Sequence, residues 1–156
     1  MWINQMVLKY DELKARKIPI HRSTPGFRTQ TPEARQFIAS QPAYTTEINE
    51  WVETIPPANP RQHRKGIYSI DCETVWTTTG TQVGSITIID WRNYEVLNVK
   101  VRPSSRVLNY NGMVSGLDGK QLFQAPGLWT QGQVQAFIVD KIKTTDIIVG
   151  MQLKMI

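Results

Sequence analysis

The chain has 156 residues, of which 40% are hydrophobic and 20% charged. This composition supplies enough apolar residues for the core of one domain and disfavours disorder of the whole chain. Its 18 Lys and Arg exceed its 13 Asp and Glu, and the formal charge of +5 is compatible with a polyanionic partner such as nucleic acid. The single cysteine, Cys72, excludes an intrachain disulfide, and no stretch approaches the roughly 20 apolar residues of a membrane-spanning helix.

The first third of the chain is polar and predicts short helices joined by proline-containing turns. Val7–Lys17 has apolar residues at helical spacing, ends in basic residues and is stopped by Pro19. Thr31–Ser40 begins with a threonine suited to an N-cap, followed by proline and an acid. Thr45–Thr54 is a third candidate. We therefore expect a helical extension over residues 1–55. The N-terminus has no signal-peptide pattern, which favours an intracellular protein.

A proline-rich basic segment follows, with the sequence PPANPRQHRKG over residues 56–66. It contains three prolines and no acid, and it predicts a linker. Two interpretations are open. The segment is either a solvated connector or a basic strip whose Arg64 and Lys65 contact RNA phosphates on the way into the next domain.

From residue 67 the pattern changes to that of β-strands, rich in β-branched residues and in part alternating. A hairpin connection, a loop-rich passage over residues 103–129, a helix and a last strand complete the order. The predicted elements are strands Ile67–Val75, Gln82–Asp90 and Glu95–Arg102, helix Gln133–Ile142 and strand Asp146–Gly150. Hairpins followed by a helix and a returning strand predict a mixed sheet with helices packed on it, an α/β arrangement.

Two acids inside the first predicted strand are the most informative residues of the chain. Asp71 and Glu73 are two positions apart, so both side chains project from one face of a strand while Ile70 and Cys72 project from the other. Two carboxylates this close repel each other, and a divalent cation such as Mg²⁺ or Mn²⁺ removes that conflict. Two such ions can hydrolyse a phosphodiester. The alternative is an edge strand carrying two solvated acids.

Several motifs around this pair occur in the order typical of one enzyme family. Residues 69–75 read S-I-D-C-E-T-V, close to the family's A-L-D-C-E-M-V, and residues 84–90 read G-S-I-T-I-I-D, close to the end of its next strand. Residues 101–103 read V-R-P and residues 107–116 read V-L-N-Y-N-G-M-V-S-G, which echo V-K-P and V-x-D-Y-N-T-R-F-S-G. The chain thus resembles the Rex-type (RNA exonuclease 1-like) exonucleases of the DEDDh superfamily.

The resemblance implies an RNase H-like α/β fold and two-metal 3′→5′ hydrolysis of single-stranded RNA ends, with RNA processing in the nucleus. It puts Asp71 and Glu73 on the first pair of ligands for Mg²⁺ or Mn²⁺, and thereby among the catalytic residues. Thr74 falls where the family usually has a Met beside the terminal nucleotide. Together with Val75, Arg64 and Lys65, it makes up the expected nucleic-acid-binding set.

The family pattern fails near the end of the sequence. The second motif, V-G-H-x-L-x-x-D, would put its His at Met151 and its Asp at Ile156, and the third motif would lie further downstream. Asn109 replaces the usual Asp, and Met113 stands where an Arg is frequent. We therefore expect residues 67–156 to be a partial exonuclease domain, truncated and inactive alone. The alternative is a non-catalytic remnant that binds RNA or another partner.

The remaining polar and aromatic residues carry weaker signals. His21 and His63 lie in polar, proline-rich surroundings, are expected at the surface and do not occupy the place of the family's catalytic His. The five Trp and five Tyr residues are either core and interface residues or platforms for base stacking.

Overall fold

The computed structural model describes residues 8–16, 31–33, 35–36, 52 and 54–149. The chain divides into two compact units, one formed by Met1–Trp51 with Gln152–Ile156 and the other by Val52–Met151. Among the described residues, none of the helices has the length and apolarity that a membrane crossing needs.

The described part of the first unit is helical. Helix α1 spans Tyr10–Ala15, and the Glu12 carboxylate caps its first turn by accepting from the Lys9 backbone N–H at 2.8 Å. Helical backbone also occurs at residues 32–33 and 35–36. These stretches lie inside two of the predicted helices, which are confirmed over the residues described. The third predicted helix, Thr45–Thr54, falls almost wholly outside them.

The second unit contains the predicted strands. Its elements are β1 (Ile67–Thr77), β2 (Gly80–Asp90), β3 (Glu95–Lys100), β4 (Val107–Asn109), α2 (Gly112–Ser115), α3 (Gly119–Phe123), α4 (Gln131–Lys141) and β5 (Ile147–Val149). The first three strands, the long helix and the last strand lie where the sequence predicts them.

The passage predicted as loop-rich, residues 103–129, contains a strand and two helices. Strand β4 has three residues, α2 four and α3 five, which is too short for hydrophobic periodicity to show. Helix α3 is specified by its cap instead. The Asp118 carboxylate accepts from the Gln121 backbone N–H at 2.8 Å, and the Gln121 side chain accepts in return from the Asp118 N–H at 3.2 Å.

The sheet has five strands and is mixed, which confirms the predicted α/β class and sheet type. Its order is β3-β2-β1-β4, with β1 antiparallel to β2 and β4. Strand β5 pairs in parallel with the start of β1, at Ile67–Ser69, while β4 pairs with its end, at Trp76 and Thr77. Between them, no strand of the described residues pairs with that edge of β1 over residues 70–75.

One core lies between the sheet and helix α4. Ile86 and Ile88 of β2 and Val134 of α4 are buried together, and Ile70 of β1 packs against them. Thr130 begins α4 as a cap, with its hydroxyl oxygen accepting from the Gln133 N–H at 3.2 Å. The face of β1 that carries Ile70 is therefore the face covered by this helix.

A second, smaller core contains Val75, which lies on the opposite face of β1 from Ile70 because neighbouring strand residues alternate. Leu117 and Leu122 cover it, the latter from α3. Gly84 makes this packing possible. Gly84 has no partner residue on β1, because the register shifts from Glu73–Ser85 to Thr74–Val83 at this point. A Cβ atom placed on Gly84 would lie 2.6 Å from Leu117 Cδ1 and 3.3 Å from Val75 Cγ1, so a side chain has no room here.

The segment predicted as a linker is hydrogen-bonded to the start of β5 within the second unit. Asp146 Oδ1 accepts from the Gly66 N–H at 2.8 Å and contacts His63 Nε2 at 2.7 Å, while Oδ2 accepts from the Lys143 N–H at 2.8 Å. The Asp146 side chain is 0% exposed and that of His63 is 24% exposed. His63, expected at the surface, is thus partly buried; His21 lies outside the described residues.

Candidate metal and nucleic-acid site

The carboxylates of Asp71 and Glu73 are positioned by the pairing of β1 with β2. Asp71 lies opposite Thr87 and Glu73 opposite Ser85, and residues paired in this way project from the same face. The bulge at Gly84 comes after Glu73, so the alternation between the two acids is undisturbed. Both acids are therefore on one face of β1, on the side of the sheet opposite to helix α4.

The pair continues into a polar surface across three strands. Thr87 lies opposite Asn98 of β3 and donates to its side-chain oxygen at 3.5 Å, while Ser85 lies opposite Lys100. Lys100 is two strands away from Glu73, about 10 Å between backbones at the usual strand spacing, and the described residues show no ion pair between the two side chains. Within the described residues, the side chains of Asp71 and Glu73 form neither an ion pair nor a hydrogen bond. Both carboxylates are thus available to a cation.

The pKa of the Cys72 thiol is affected by its burial and by the two acids on either side of it in the strand. Partial burial in the strand raises the pKa of the Cys72 thiol. The negative charges of Asp71 and Glu73 raise it further. The potential around the pair is therefore negative, as a site for a cation requires.

A hard divalent cation fits these two carboxylates as part of its ligand set, because Mg²⁺ and Mn²⁺ prefer oxygen ligands. Across the described part of the chain, no cluster of three or more His, Cys, Asp and Glu side chains is placed to hold a metal. Among the described residues, Asp71 and Glu73 could supply two oxygen ligands to such an ion, which is fewer than a complete ligand set.

The structure separates the predicted nucleic-acid-binding residues. Thr74 is half-buried on the face of β1 opposite to Glu73, and Val75 is fully buried in the second core. A contact between Val75 and RNA would therefore have to involve its backbone. Arg64 and Lys65 are exposed just before the start of β1. Lys65 is six positions before Asp71, at most about 20 Å along an extended chain. Among the described residues no ion pair joins either cation to the two acids.

The contact between His63 and Asp146 is the feature that sequence reasoning missed. The two residues are 83 positions apart, and no local pattern relates them. Burial of Asp146 would raise its pKa, but hydrogen bonds from the Lys143 N–H, His63 and the Gly66 N–H outweigh burial and hold the pKa below its ordinary value. The carboxylate is therefore a charged anchor for the residues that lead into β1.

Comparison with known proteins gives several exonuclease relatives. RNA exonuclease 1 homolog from Homo sapiens is 30% identical over 89 residues, covering 57% of this chain and 7% of the relative. Exonuclease GOR from Pan troglodytes is 29% identical over 107 residues, covering 69% of this chain and 15% of the relative. RNA exonuclease 3 from Emericella nidulans is 37% identical over 62 residues, covering 39% and 10%.

The relatives are far longer than the matched region, since the chain spans between 5% and 17% of their lengths. No protein-family model matches the chain. Among solved structures, the Neurospora crassa Pan2 catalytic unit, containing protease and nuclease domains, matches 64% of this chain and 15% of that chain with a TM-score of 0.33 and 11% identity. The curated relatives are all named exonucleases, several of them RNA exonucleases, and are 26–37% identical over part of this chain, so the chain is similar to Rex-type exonucleases.

Proposed function

We propose that this chain is part of a 3′→5′ RNA exonuclease in which Asp71 and Glu73 hold a divalent metal ion for phosphodiester hydrolysis. The observation that carries the proposal is that two carboxylates share one face of β1 and have no ion-pair partner among the described residues. They also lie in the stretch of β1 that neither β4 nor β5 pairs with. A role in RNA processing in the nucleus, implied by the family resemblance, belongs to the same proposal.

The metal and the protein contribute different things to this chemistry. Mg²⁺ or Mn²⁺, as a pair of ions in the complete site, would supply Lewis-acid stabilisation and an activated water at neutral pH. The chain contributes the ligands and their spacing. Pairing with β2 fixes the backbone of Asp71 and Glu73, so both side chains project from the same face and little backbone entropy is lost when an ion binds.

We further propose that the chain has no exonuclease activity by itself. The Asp of the family's second motif would fall on Ile156 and the His of that motif on Met151, and Ile cannot ligate a metal as Asp does. The general-base His and the last Asp belong to the third motif, which has no counterpart in this sequence. Because a complete metal shell and a general base each contribute orders of magnitude in rate, two carboxylates are insufficient.

A non-catalytic RNA-binding function is the second candidate. It is favoured by the exposed Arg64 and Lys65 beside the start of β1 and by the formal charge of +5. Cations on an ordered surface bind the phosphate backbone without requiring a complete metal site. Retention of RNA without turnover is the result that would separate this function from catalysis.

Metal binding is tested by thermal denaturation with and without Mn²⁺ or Mg²⁺. A ligand present at tenfold its Kd stabilises the folded state by about 1.4 kcal/mol, which is a measurable rise in Tm. We expect this rise in the wild type and its loss in Asp71→Asn and Glu73→Gln. Asp140→Asn is the matched control, since Asp140 is an exposed acid on α4, away from the pair. Equal metal stabilisation in Asp71→Asn and Asp140→Asn would contradict the proposed site.

Activity is tested on single-stranded RNA labelled at its 5′ end. In the presence of Mg²⁺ or Mn²⁺ we expect no shortening from the 3′ end, and binding that can be followed by fluorescence anisotropy. If the RNA is shortened and Asp71→Ala abolishes the shortening, the chain is active alone and the inactivity proposed above is wrong.

A further inference from the structure

The hairpin between β2 and β3 ends in a tip that exposes two large aromatic side chains. Trp91 is 65% exposed and Tyr94 is 67% exposed. The Arg92 guanidinium lies 4.8 Å from the centroid of the Trp91 ring, a cation–π arrangement. Single exposed apolar residues are common on proteins, but two aromatics and an arginine within four residues form a concentrated surface.

The tip is held rigidly by Asp90. Its carboxylate accepts from the backbone N–H of Arg92 at 2.8 Å and of Tyr94 at 3.0 Å. The Asp90 N–H donates to the Tyr94 carbonyl at 3.0 Å, and Asn93 takes the left-handed conformation with φ of 66° that closes the turn. An aromatic displayed on an ordered turn loses little conformational freedom when it binds a ligand.

The basic segment before β1 is located at the same end of the sheet. Asp90 is paired with Tyr68, and Lys65 precedes Tyr68 by three residues. The position of this segment is set by Asp146, which accepts from the Gly66 N–H at 2.8 Å. Arg64 and Lys65 are both exposed. The fold therefore gathers cations from residues 64–65 and aromatics from residues 91–94 at one end of the strand that carries the candidate metal ligands.

We propose that the hairpin tip and residues 64–65 form a stacking platform for single-stranded RNA outside the metal site. Unpaired bases stack on the rings of Trp91 and Tyr94, and the phosphates lie against Arg64 and Lys65. Stacking on aromatic side chains combined with a basic surface is how proteins hold single strands without reading their sequence. The inference rests on the proposed function for the identity of the ligand as RNA, and it adds a second contact region.

The charge balance favours RNA over a protein partner, although Trp, Tyr and Arg are also frequent in protein interfaces. The acids nearest the tip are already hydrogen-bonded, Asp90 to the two backbone N–H groups and Glu95 to the Asn98 side-chain amide at 2.9 Å. The third nearby acid, Asp146, has a side chain that is 0% exposed and bonds the Gly66 N–H. Arg64, Lys65 and Arg92 are all exposed, whereas Glu95 is the one exposed acid among these three, so cations are in excess at the surface. A polyanion gains from this excess of cations, and a neutral apolar partner does not.

The platform is tested by fluorescence anisotropy with a labelled uridine oligonucleotide in metal-free buffer, so that the Asp71–Glu73 site does not contribute. Alanine substitution of a stacking aromatic typically weakens single-strand binding by about 5- to 100-fold, which we expect for Trp91→Ala and Tyr94→Ala. Trp91→Phe should keep most of the affinity because a ring remains. Trp76→Ala is the matched control, since Trp76 is 62% exposed but lies at the other end of β1.

The salt dependence of binding gives an independent measurement. The double substitution Arg64→Gln with Lys65→Gln should reduce the slope of log affinity against log salt by about 1.4, at about 0.7 per phosphate contact on a single strand. Lys141→Gln with Lys120→Gln removes the same charge at exposed positions on α4 and α3 and should leave most of the slope intact.

The outcomes separate this inference from the proposed function. If the wild type binds the RNA and Trp91→Ala weakens binding no more than Trp76→Ala, the stacking platform is wrong but the proposed RNA partner is not. The exposed aromatics of the tip would then be a candidate contact for a protein partner. If the wild type does not bind RNA at all, both the platform and the proposed RNA partner fail. Equal urea midpoints for the wild type and the variants confirm that a loss of affinity does not come from unfolding.

Discussion

The buried carboxylate of Asp146 allows a quantitative prediction for the substitution Asp146→Asn. Its two oxygens meet three donors, the Gly66 N–H, His63 and the Lys143 N–H. An amide has a single acceptor oxygen, so in either orientation its NH₂ group faces at least one N–H donor. Leaving a buried donor unsatisfied costs about 1–3 kcal/mol, and the remaining bonds lose their charge assistance, about 1 kcal/mol each. We expect Asp146→Asn to lower the free energy of unfolding by about 3 kcal/mol.

The same substitution should change how stability depends on pH. Because the folded pKa of Asp146 lies below its ordinary value, the carboxylate binds protons more readily in the unfolded chain. Its contribution to stability is fully present above the ordinary carboxyl pKa of about 3.9 and is lost as the pH falls through the lowered folded value. The difference in stability between wild type and Asp146→Asn should therefore be largest at neutral pH and should shrink with acidification below about pH 4.

Urea denaturation followed by tryptophan fluorescence at neutral pH and at several acidic pH values measures both effects. Asp140→Asn makes the same chemical change at an exposed position of α4 and should alter stability by no more than about 0.5 kcal/mol. An Asp146→Asn protein as stable as Asp140→Asn at neutral pH would refute the reasoning. So would an equal loss of stability on acidification in the wild type and Asp146→Asn.

Three further substitutions test the packing around the site, each by urea denaturation. Leu122→Ala empties part of the fully buried second core and should cost about 3 kcal/mol, whereas the exposed neighbour Phe123→Ala should cost less. Gly84→Ala puts a methyl group against Leu117 and should cost about 1–3 kcal/mol; an unchanged midpoint would show that Leu117 can move aside. Thr130→Ala removes the cap of α4 and should cost about 1 kcal/mol, with Thr130→Ser expected to keep most of it.

Long elements could be predicted from the sequence because each carries its own repeated signal. Strands β1 and β2 have 11 residues each, and α4 has 11 residues after a threonine cap. The short elements β4, α2 and α3 could not be predicted, because a segment of three to five residues is too short for strand alternation or helical spacing to repeat enough times to be recognised. Strand β4 and helix α3 pack on the second core through Val107 and Leu122, whereas α2 buries no residue.

Some features of the candidate site could likewise be predicted from the sequence, and others could not. That Asp71 and Glu73 share a face follows from the two-residue repeat of a strand and could be read from the sequence. That Val75, predicted to contact RNA, is buried follows from the arrival of Leu117 and Leu122 on its face, which depends on the path of the chain after β4. The exposed Trp91 and Tyr94 were two of ten Trp and Tyr residues with core and stacking roles both open.

The α/β class, the first three strands and the shared face of the two acids could all be predicted from local patterns, because the periods of strands and helices appear in neighbouring residues. The parallel pairing of β5 with the start of β1 and the contact of His63 with Asp146, 83 positions away, appear only in the folded chain. Such contacts depend on which distant segments bury surface together. A local pattern of residues does not contain that information.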